Sequence, residues 1–489
     1  MALRIQTNVS SLNALTNLDT TDRLQSRTLE RLATGLRINR ASDDPSGFVA
    51  SEKLNAQVKS LDQAIENSLN ASNLIGTAEA SLHEVSNLLV GVRESIIFAL
   101  NSNSSEQIAA EQDSVDNAIA AIDRIAQTTR FADRKLLDGT SSIRTASSLG
   151  SGIRGIQVDS AQFAGVSAIT LSLDLTAVAS RAGDVFSSGA TGVAFRSATA
   201  ATTLRVTGAK GTVDVSLASG TGSAGFGSAI NAFTGMTGVY ASAGELFSVD
   251  FGSDQTVSVE VVSGSFTAGA ATTINNATGV LLDAGVDAAA TLNGAGVFAD
   301  GNDIRIVSKF FTGNISLNDA ATTSSNLTFK IQKSGLVFQL NTEDDVTNRV
   351  RIGISNTSAA TLGSNTRTIP SQGGGTLTVQ GFLSRLKSGD TNDLTTDSEN
   401  ALRIVDEAIN QVTGTRAFFG AFQKQTLESN IASLTIASEN LSASLSDIRD
   451  LDFAKETSEL TRTRILFQAG TSVLAQANQL PQAVLSLLR

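Results

Sequence analysis

Ile465 to Arg489 read ILFQAGTSVLAQANQLPQAVLSLLR. Taken every third or fourth residue, the stretch gives Leu466, Gly470, Val473, Ala477, Leu480, Val484 and Leu487, with Leu488 beside the last, one apolar stripe along a helix. A stripe that narrow calls for a partner helix. Its flanks, Gln468, Thr471, Ser472, Gln476, Asn478, Gln479 and Gln482, are amides and hydroxyls, and beyond Leu460 the only ionisable side chains are Arg462, Arg464 and Arg489. A helix so short of charge is suited to burial against protein rather than to standing alone in water.

A second amphipathic helix is expected within residues 1–40, where Ile5, Val9, Leu12, Leu15, Leu18, Leu29, Leu32 and Leu36 recur at spacings of three and four. It is the natural partner, because chain ends fray unless something ties them down. Next, Arg40-Ala41-Ser42-Asp43-Asp44-Pro45 supplies an N-cap in Asp44 and a first helical residue in Pro45. Capping explains the acidic pair Asp43 and Asp44 better than metal binding does. The helix that starts there keeps its apolar spacing from Leu54 to Ile96 and runs to about Leu100, a rod of about 80 Å. A polar break at 101–105 precedes a shorter helix carrying Val115, Ile119, Ile122 and Ile125 and ending near Arg130. Helical spacing returns after Asp397 and runs from Leu402 to Ile448, a second rod of about 75 Å. The charged segment Asp447 to Glu459 reads as the connector to the last helix.

Between about 140 and 390, Gly, Ser, Thr and Ala dominate and the period falls to two: Ile169, Leu171, Leu173, Leu175; Val213, Val215, Leu217; Val257, Val259, Val261; Leu327, Phe329, Ile331; Leu336, Phe338, Leu340. Such runs with Gly-rich punctuation are strands and turns. From Gly211 to Ile304 there are nine acidic residues and no Lys or Arg, so this part presents an acidic surface. The fold class expected is α+β and multidomain: long antiparallel helical rods and terminal coiled-coil helices flanking an inserted β-rich outer region of one or two modules.

With 17% charged residues, 41% apolar residues and a net charge of −11, the chain has neither the basic patches of a nucleic-acid binder nor the composition of an acidic disordered polymer. It has no Cys, which removes disulfides, zinc fingers and thiol catalysis together and suits a protein that crosses compartments unfolded. No run of 18 apolar residues is present to span a membrane, and the N-terminus lacks the apolar core of a secretory signal. On that ground alone the chain reads as cytoplasmic, unless it uses a dedicated export apparatus. His83 is the only imidazole and lies in a helical run, so no His-based triad or HExxH site exists, and no phosphate-binding Gly motif opens a helix. The run Glu343-Asp344-Asp345 reads as a solvated turn. No enzyme activity, metal or cofactor is expected.

The two ends resemble bacterial flagellin. The resemblance is carried by Ile5-Gln6-Thr7-Asn8-Val9-Ser10-Ser11-Leu12-Asn13-Ala14, by Arg31-Leu32-Ala33-Thr34-Gly35-Leu36-Arg37-Ile38-Asn39, and by Asp43-Asp44-Pro45-Ser46-Gly47. At the other end it rests on Gln468 to Asn478, QAGTSVLAQAN, and on Leu485-Ser486-Leu487-Leu488-Arg489. It covers about residues 1–140 and 395–489 and leaves the middle unmatched. The resemblance implies a structural subunit polymerising into the extracellular flagellar filament and serving swimming. Residues 1–44 with 450–489 would form a coiled-coil inner tube, 45–180 with 390–449 the helical rods and a β-hairpin region, and 181–389 the outward-facing variable insert. It further implies secretion unfolded through the flagellar type III apparatus, self-association into a homopolymer, and an export chaperone, filament cap and hook-associated proteins as partners. Alternatives are a hook–filament junction protein, which shares the terminal helices, or a flagellin whose insert is adhesive or glycan-bearing. Members sensed by Toll-like receptor 5 carry an Arg before the triplet Val92-Arg93-Glu94 and a Leu after it, where this chain has Gly91 and Ser95. A family Glu aligns with Ala120. These departures imply weak or no receptor activation.

Overall fold

The computed structural model describes residues 8–487 except 103, 147–151, 164–165, 184–194, 269–271, 276–279, 309–310, 320, 344–347, 364 and 371–375. Of the stripe residues, Ile5 and Leu488 lie outside the described residues, as do the side chains of Leu480, Val484 and Leu487. Asp344 and Asp345 also fall outside. Contacts divide the chain into two units, Met1–Glu66 with Ser429–Arg489, and Asn67–Glu428.

The helices are α1 (Val9–Thr34), α2 (Pro45–Asn101), α3 (Ser105–Thr128), α4 (Ser223–Asn231), α5 (Thr234–Thr237), α6 (Ser398–Phe422), α7 (Ser429–Arg449) and α8 (Phe453–Leu487). The second rod is α6 and α7 joined without a break by a π-helical turn over Gln423–Glu428, a feature that spacing alone does not announce. Two expectations are corrected. The connector is only 450–452 rather than Asp447 to Glu459, and the last helix begins at Phe453, because Asp452 caps it by accepting from the amides of Ala454 (3.0 Å) and Lys455 (3.1 Å). The first helix stops at Thr34, so Leu36 is not on it; Gly35 terminates it in the left-handed region at φ 72°, its N–H bonded to Arg31 O.

In the first unit, Leu61 and Ala64 of α2 bury against Leu434 of α7, with Ile65, Ala437 and Leu441 beside them. Among the described residues the second unit holds three large cores and a small cluster of Tyr240 and Val249. A helical core joins Ile75, Leu82, Val85, Leu89 and Ile96 of α2 to Val115, Ile119 and Ile122 of α3 and to Ile404, Val412 and Phe419 of α6. Leu336, Ile352, Ile354, Leu383 and Leu386 also pack into it.

The β region is two modules, one nested in the other. The outer one is a ten-stranded antiparallel sheet in the order Leu336–Gln339, Arg349–Ile352, Ile153–Ala161, Phe311–Leu317, Asp303–Val307, Ala295–Asp300, Ala289–Leu292, Ala168–Ala177, Ser324–Gln332, Thr145–Ala146. The nested one lies in sequence between Ala168–Ala177 and Ala289–Leu292. Its four-stranded sheet runs Leu281–Ala284, Thr256–Ser263, Thr202–Gly208, Gly211–Leu217, and a three-stranded sheet and α4 share its core of Phe195, Leu204, Phe226, Val257, Val259 and Phe266. The alternating runs read from the sequence fall in strands except for Leu340, which lies just past Leu336–Gln339, with Leu171, Leu173, Leu175, Val257, Val259 and Val261 facing a core.

Candidate functional site

The two chain ends come together: α1 packs along α8. Facing α8 are Ser11, Ala14, Leu18, Thr21, Gln25, Thr28 and Leu32, the covered side of α1. From α8 come Glu456, Leu460, Thr463, Phe467, Gly470, Leu474 and Ala477, a 4-3-4-3-4-3 series whose members are buried or half-buried. Small residues at the contact let the backbones approach. At one end of the pair Asn8 caps α1 through Ser11 N (3.1 Å) and donates from Nδ2 to Ala477 O (2.9 Å), while Ser11 Oγ bonds Asn478 Oδ1 (2.8 Å). At the other, Arg31 lies 3.8 Å from Glu456.

Pairing of the terminal helices was expected, but on other residues. Leu18, Leu32, Gly470 and Ala477 do lie at or near the contact. Val9 (55% exposed), Leu12, Leu15 and Leu29 of α1 and Leu466 and Val473 (55%) of α8 do not; they stand in solvent with Leu24 and Ile465. Two apolar stripes run side by side on α8, and spacing cannot tell which one turns inward. Missed were Thr463, Phe467 and Leu474; the seven-residue repeat Leu460, Phe467, Leu474 was the signal that could have found them.

The signature between α1 and α2 builds a joint. Leu36 and Asp450 form an antiparallel bridge: Leu451 N donates to Gly35 O (3.0 Å), Arg37 N donates to Arg449 O (2.7 Å), and the Arg37 guanidinium donates to Ile448 O. The break after α1 and the break before α8 are thus tied to each other. Asp43 Oδ2 accepts from Asn39 N (3.2 Å) and Arg40 N (3.0 Å) in the turn before the helix rather than capping it, whereas Asp44 Oδ1 accepts from Gly47 N (3.0 Å), the capping role read for it. That amide bond and the Ser46 hydroxyl hold the Asp44 carboxyl below its ordinary value. Ile38 is buried beneath this turn, 2% exposed.

Elsewhere, Gly91, Glu94 and Ala120 are exposed on the rods, Arg93 Nε pairs with Asp406 Oδ1 of α6 at 2.7 Å, and Ser95 turns inward, 8% exposed. His83 and Glu343 are exposed. Among the described residues no group of three or more His, Asp or Glu side chains is arranged to hold a metal, and no helix is long and apolar enough to cross a membrane.

Known proteins match this sequence at both ends and along its whole length. The model of the bacterial flagellin N-terminal helical region matches residues 5–142, and that of the flagellin C-terminal helical region matches 402–488. B-type flagellin of Pseudomonas aeruginosa is 32% identical and flagellin of Salmonella typhimurium 30% identical, each alignment covering 100% of both chains. The solved structure of FliC from Burkholderia pseudomallei, 15% identical, covers 72% of this chain and 98% of its own at a TM-score of 0.23, too low to bear on the assignment. The chain belongs to the bacterial flagellin family and is, as such, a structural subunit of the flagellar filament.

Proposed function

We propose that the α1–α8 pair is the element through which this subunit polymerises. The observation that carries it is the row of large apolar side chains left in solvent once the pair has closed: Val9, Leu12, Leu15, Leu29, Leu466 and Val473. Exposed rows of that kind mark contact surfaces. In this reading neighbouring subunits cover them, and residues 1–44 with 450–489 become the inner tube of the filament. Residues 45–180 with 390–449 form the rods around it, and 181–389 face outward. A heterologous contact that does not close on itself extends into an open helical fibre.

The chain acts as structure, without catalysis, metal or cofactor, and is secreted unfolded, its partners being an export chaperone, the filament cap and hook-associated proteins. Removal of residues 465–489 tests the reading: the truncated chain stays in the supernatant after high-speed sedimentation, whereas filaments of ordinary length would sink the account. Gly91, Ser95 and Ala120 predict weak signalling through Toll-like receptor 5, checked by a reporter-cell titration of purified monomer.

A further inference from the structure

The chain enters the nested module through residues 178–183 and leaves it through 285–288, and these segments lie side by side. Ser180 and Val286 form an antiparallel bridge, Ser180 N donating to Val286 O (2.8 Å) and Val286 N to Ser180 O (3.2 Å). A neck of that kind would by itself be a hinge, since a few residues between two bodies suffice to absorb a rotation. Here a turn of the nested module, residues 252–255, is bonded to both segments: Gly252 N donates to Ser180 O (3.1 Å) and Gly285 N to Gln255 O (2.9 Å). The backbones meet so closely that a Cβ at Gly285 would stand 2.4 Å from Gly252 O, and one at Gly301 2.4 Å from Phe251 O. Gly252 (φ 118°) and Gly301 (φ 57°) also hold conformations that residues with a Cβ rarely adopt.

Side chains then span the junction. Asp287, on the outgoing segment, accepts through Oδ1 from Ser253 N (2.9 Å) and Gly301 N (2.8 Å), and through Oδ2 from the Ser253 hydroxyl (2.6 Å). Ser253 belongs to the nested module, and Gly301 to the turn between Ala295–Asp300 and Asp303–Val307 of the ten-stranded sheet. The Ser253 hydroxyl and the two amides hold the Asp287 carboxyl below its ordinary value, against the effect of burial, so its bonds are charge-assisted. Arg181, on the incoming segment, makes a second span. Its Nη1 donates to Tyr240 Oη (2.7 Å) and its guanidinium lies 4.5 Å from the centre of the Phe251 ring, both residues of the nested module. Its Nη2 lies 3.5 Å from Asp319 Oδ2 of the outer module. Phe251 in turn packs against the core of the outer sheet.

We propose that this junction is a locked joint with Asp287 and Arg181 as its latches, so that the nested and outer modules move as one body until both side chains are removed. A rotation about the Ser180–Val286 bridge would have to break the Asp287 bonds and draw Arg181 away from Asp319. Force applied to the nested module therefore passes into the ten-stranded sheet rather than being taken up in the neck. The lock lies within one copy of the chain and holds whichever way copies meet.

Because the chain has no Cys, pairs of introduced thiols carry spin labels to chosen places. Gly296→Cys, where a Cβ meets nothing within 4 Å, marks the outer sheet. Met236→Cys, whose parent is 64% exposed, and Ser216→Cys, on the exposed side of Gly211–Leu217, mark the nested module. Double electron–electron resonance on the purified full-length monomer reads 236–296 across the joint and 216–236 within the module. With both latches present, the distance distribution across the joint is no wider than the one within the module. Asp287→Ala combined with Arg181→Met widens 236–296 by about twofold and leaves 216–236 as it was. A joint distance already that wide with both latches in place overturns the lock. A joint that stays narrow in the double variant overturns the role of the latches, leaving the backbone to hold it. Widening of 216–236 as well overturns that role too, since it would place the two residues in the nested module's own fold.

Discussion

Gly470 of α8 lies so close to Leu18 of α1 that a Cβ at 470 would come within 3.2 Å of Leu18 Cδ1. Alanine there gains up to about 1 kcal/mol of helix propensity, which offsets the crowding. Leucine has no space. Gly470→Ala therefore assembles like the parent, and Gly470→Leu opens the pair and abolishes assembly, as read by sedimentation and by loss of far-ultraviolet helix signal.

Gly35 occupies the left-handed region at φ 72° at the joint, its carbonyl accepting from Leu451 N at 3.0 Å. A Cβ there costs about 1–2 kcal/mol. Gly35→Ala lowers the first thermal transition, and Gly35→Asn, which tolerates that region better, lowers it less. Equal midpoints for all three chains would sink the argument.

Asp159, on the strand Ile153–Ala161, is pushed up to about 6 by burial, against the opposing pull of a Gln157 hydrogen bond and the Arg305 charge. The folded chain therefore holds this proton more tightly than the unfolded one. The resulting stability is full below the ordinary carboxylate value of 3.8 and is lost as pH rises to about 6. Asp159→Asn removes that loss and is the more stable protein at pH 8, by up to about 3 kcal/mol. Thermal melts of both chains from pH 4 to pH 8 check the sign.

Phe226 of α4 stacks on Phe195 with ring centroids 4.3 Å apart, and Phe266 lies 5.0 Å from Phe195. Phe226→Ala removes a fully buried ring, a loss of about 3–5 kcal/mol from the nested module. That module has its own core, so limited proteolysis should cut within residues 195–284 while the α2–α3–α6 core stays protected. Unchanged digestion would contradict the nesting.

Strands and rods were legible because each run has one dominant period, as in Val257, Val259, Val261 or in Ile75, Leu82, Leu89, Ile96. Which stripe of α8 faces α1 was not, since Val473 and Leu474 are equally apolar and the choice falls to the small residues opposite, Ser11, Ala14 and Thr28. The nesting of one β module in the other was hidden for a different cause. Ala168–Ala177 pairs with Ala289–Leu292 across more than a hundred residues, and local alternation carries no information about pairing at that distance. The joint was half visible: Asp44 and Pro45 announce a helix start, but nothing in Asp450 or Leu451 announces their bond to Gly35 and Leu36.

The π-helical turn at Gln423–Glu428 resolves a phase error in the second rod. Inward residues step by three or four through Val405, Ala408, Val412, Thr415, Phe419 and Phe422, then by five to Leu427, and by seven to Leu434. In an unbroken α-helix a five-residue step would swing the later residues by about 140° away from the earlier ones. One wider turn absorbs the extra residue. Leu427 lies in the α2–α3–α6 core of its unit, and in the other unit Leu434 lies against Leu61 and Ala64. Deleting a single residue from 423–428 would then convert the turn to ordinary helix, whereas the same deletion between 435 and 440 would carry Leu441 about 100° off the face it shares with Leu434.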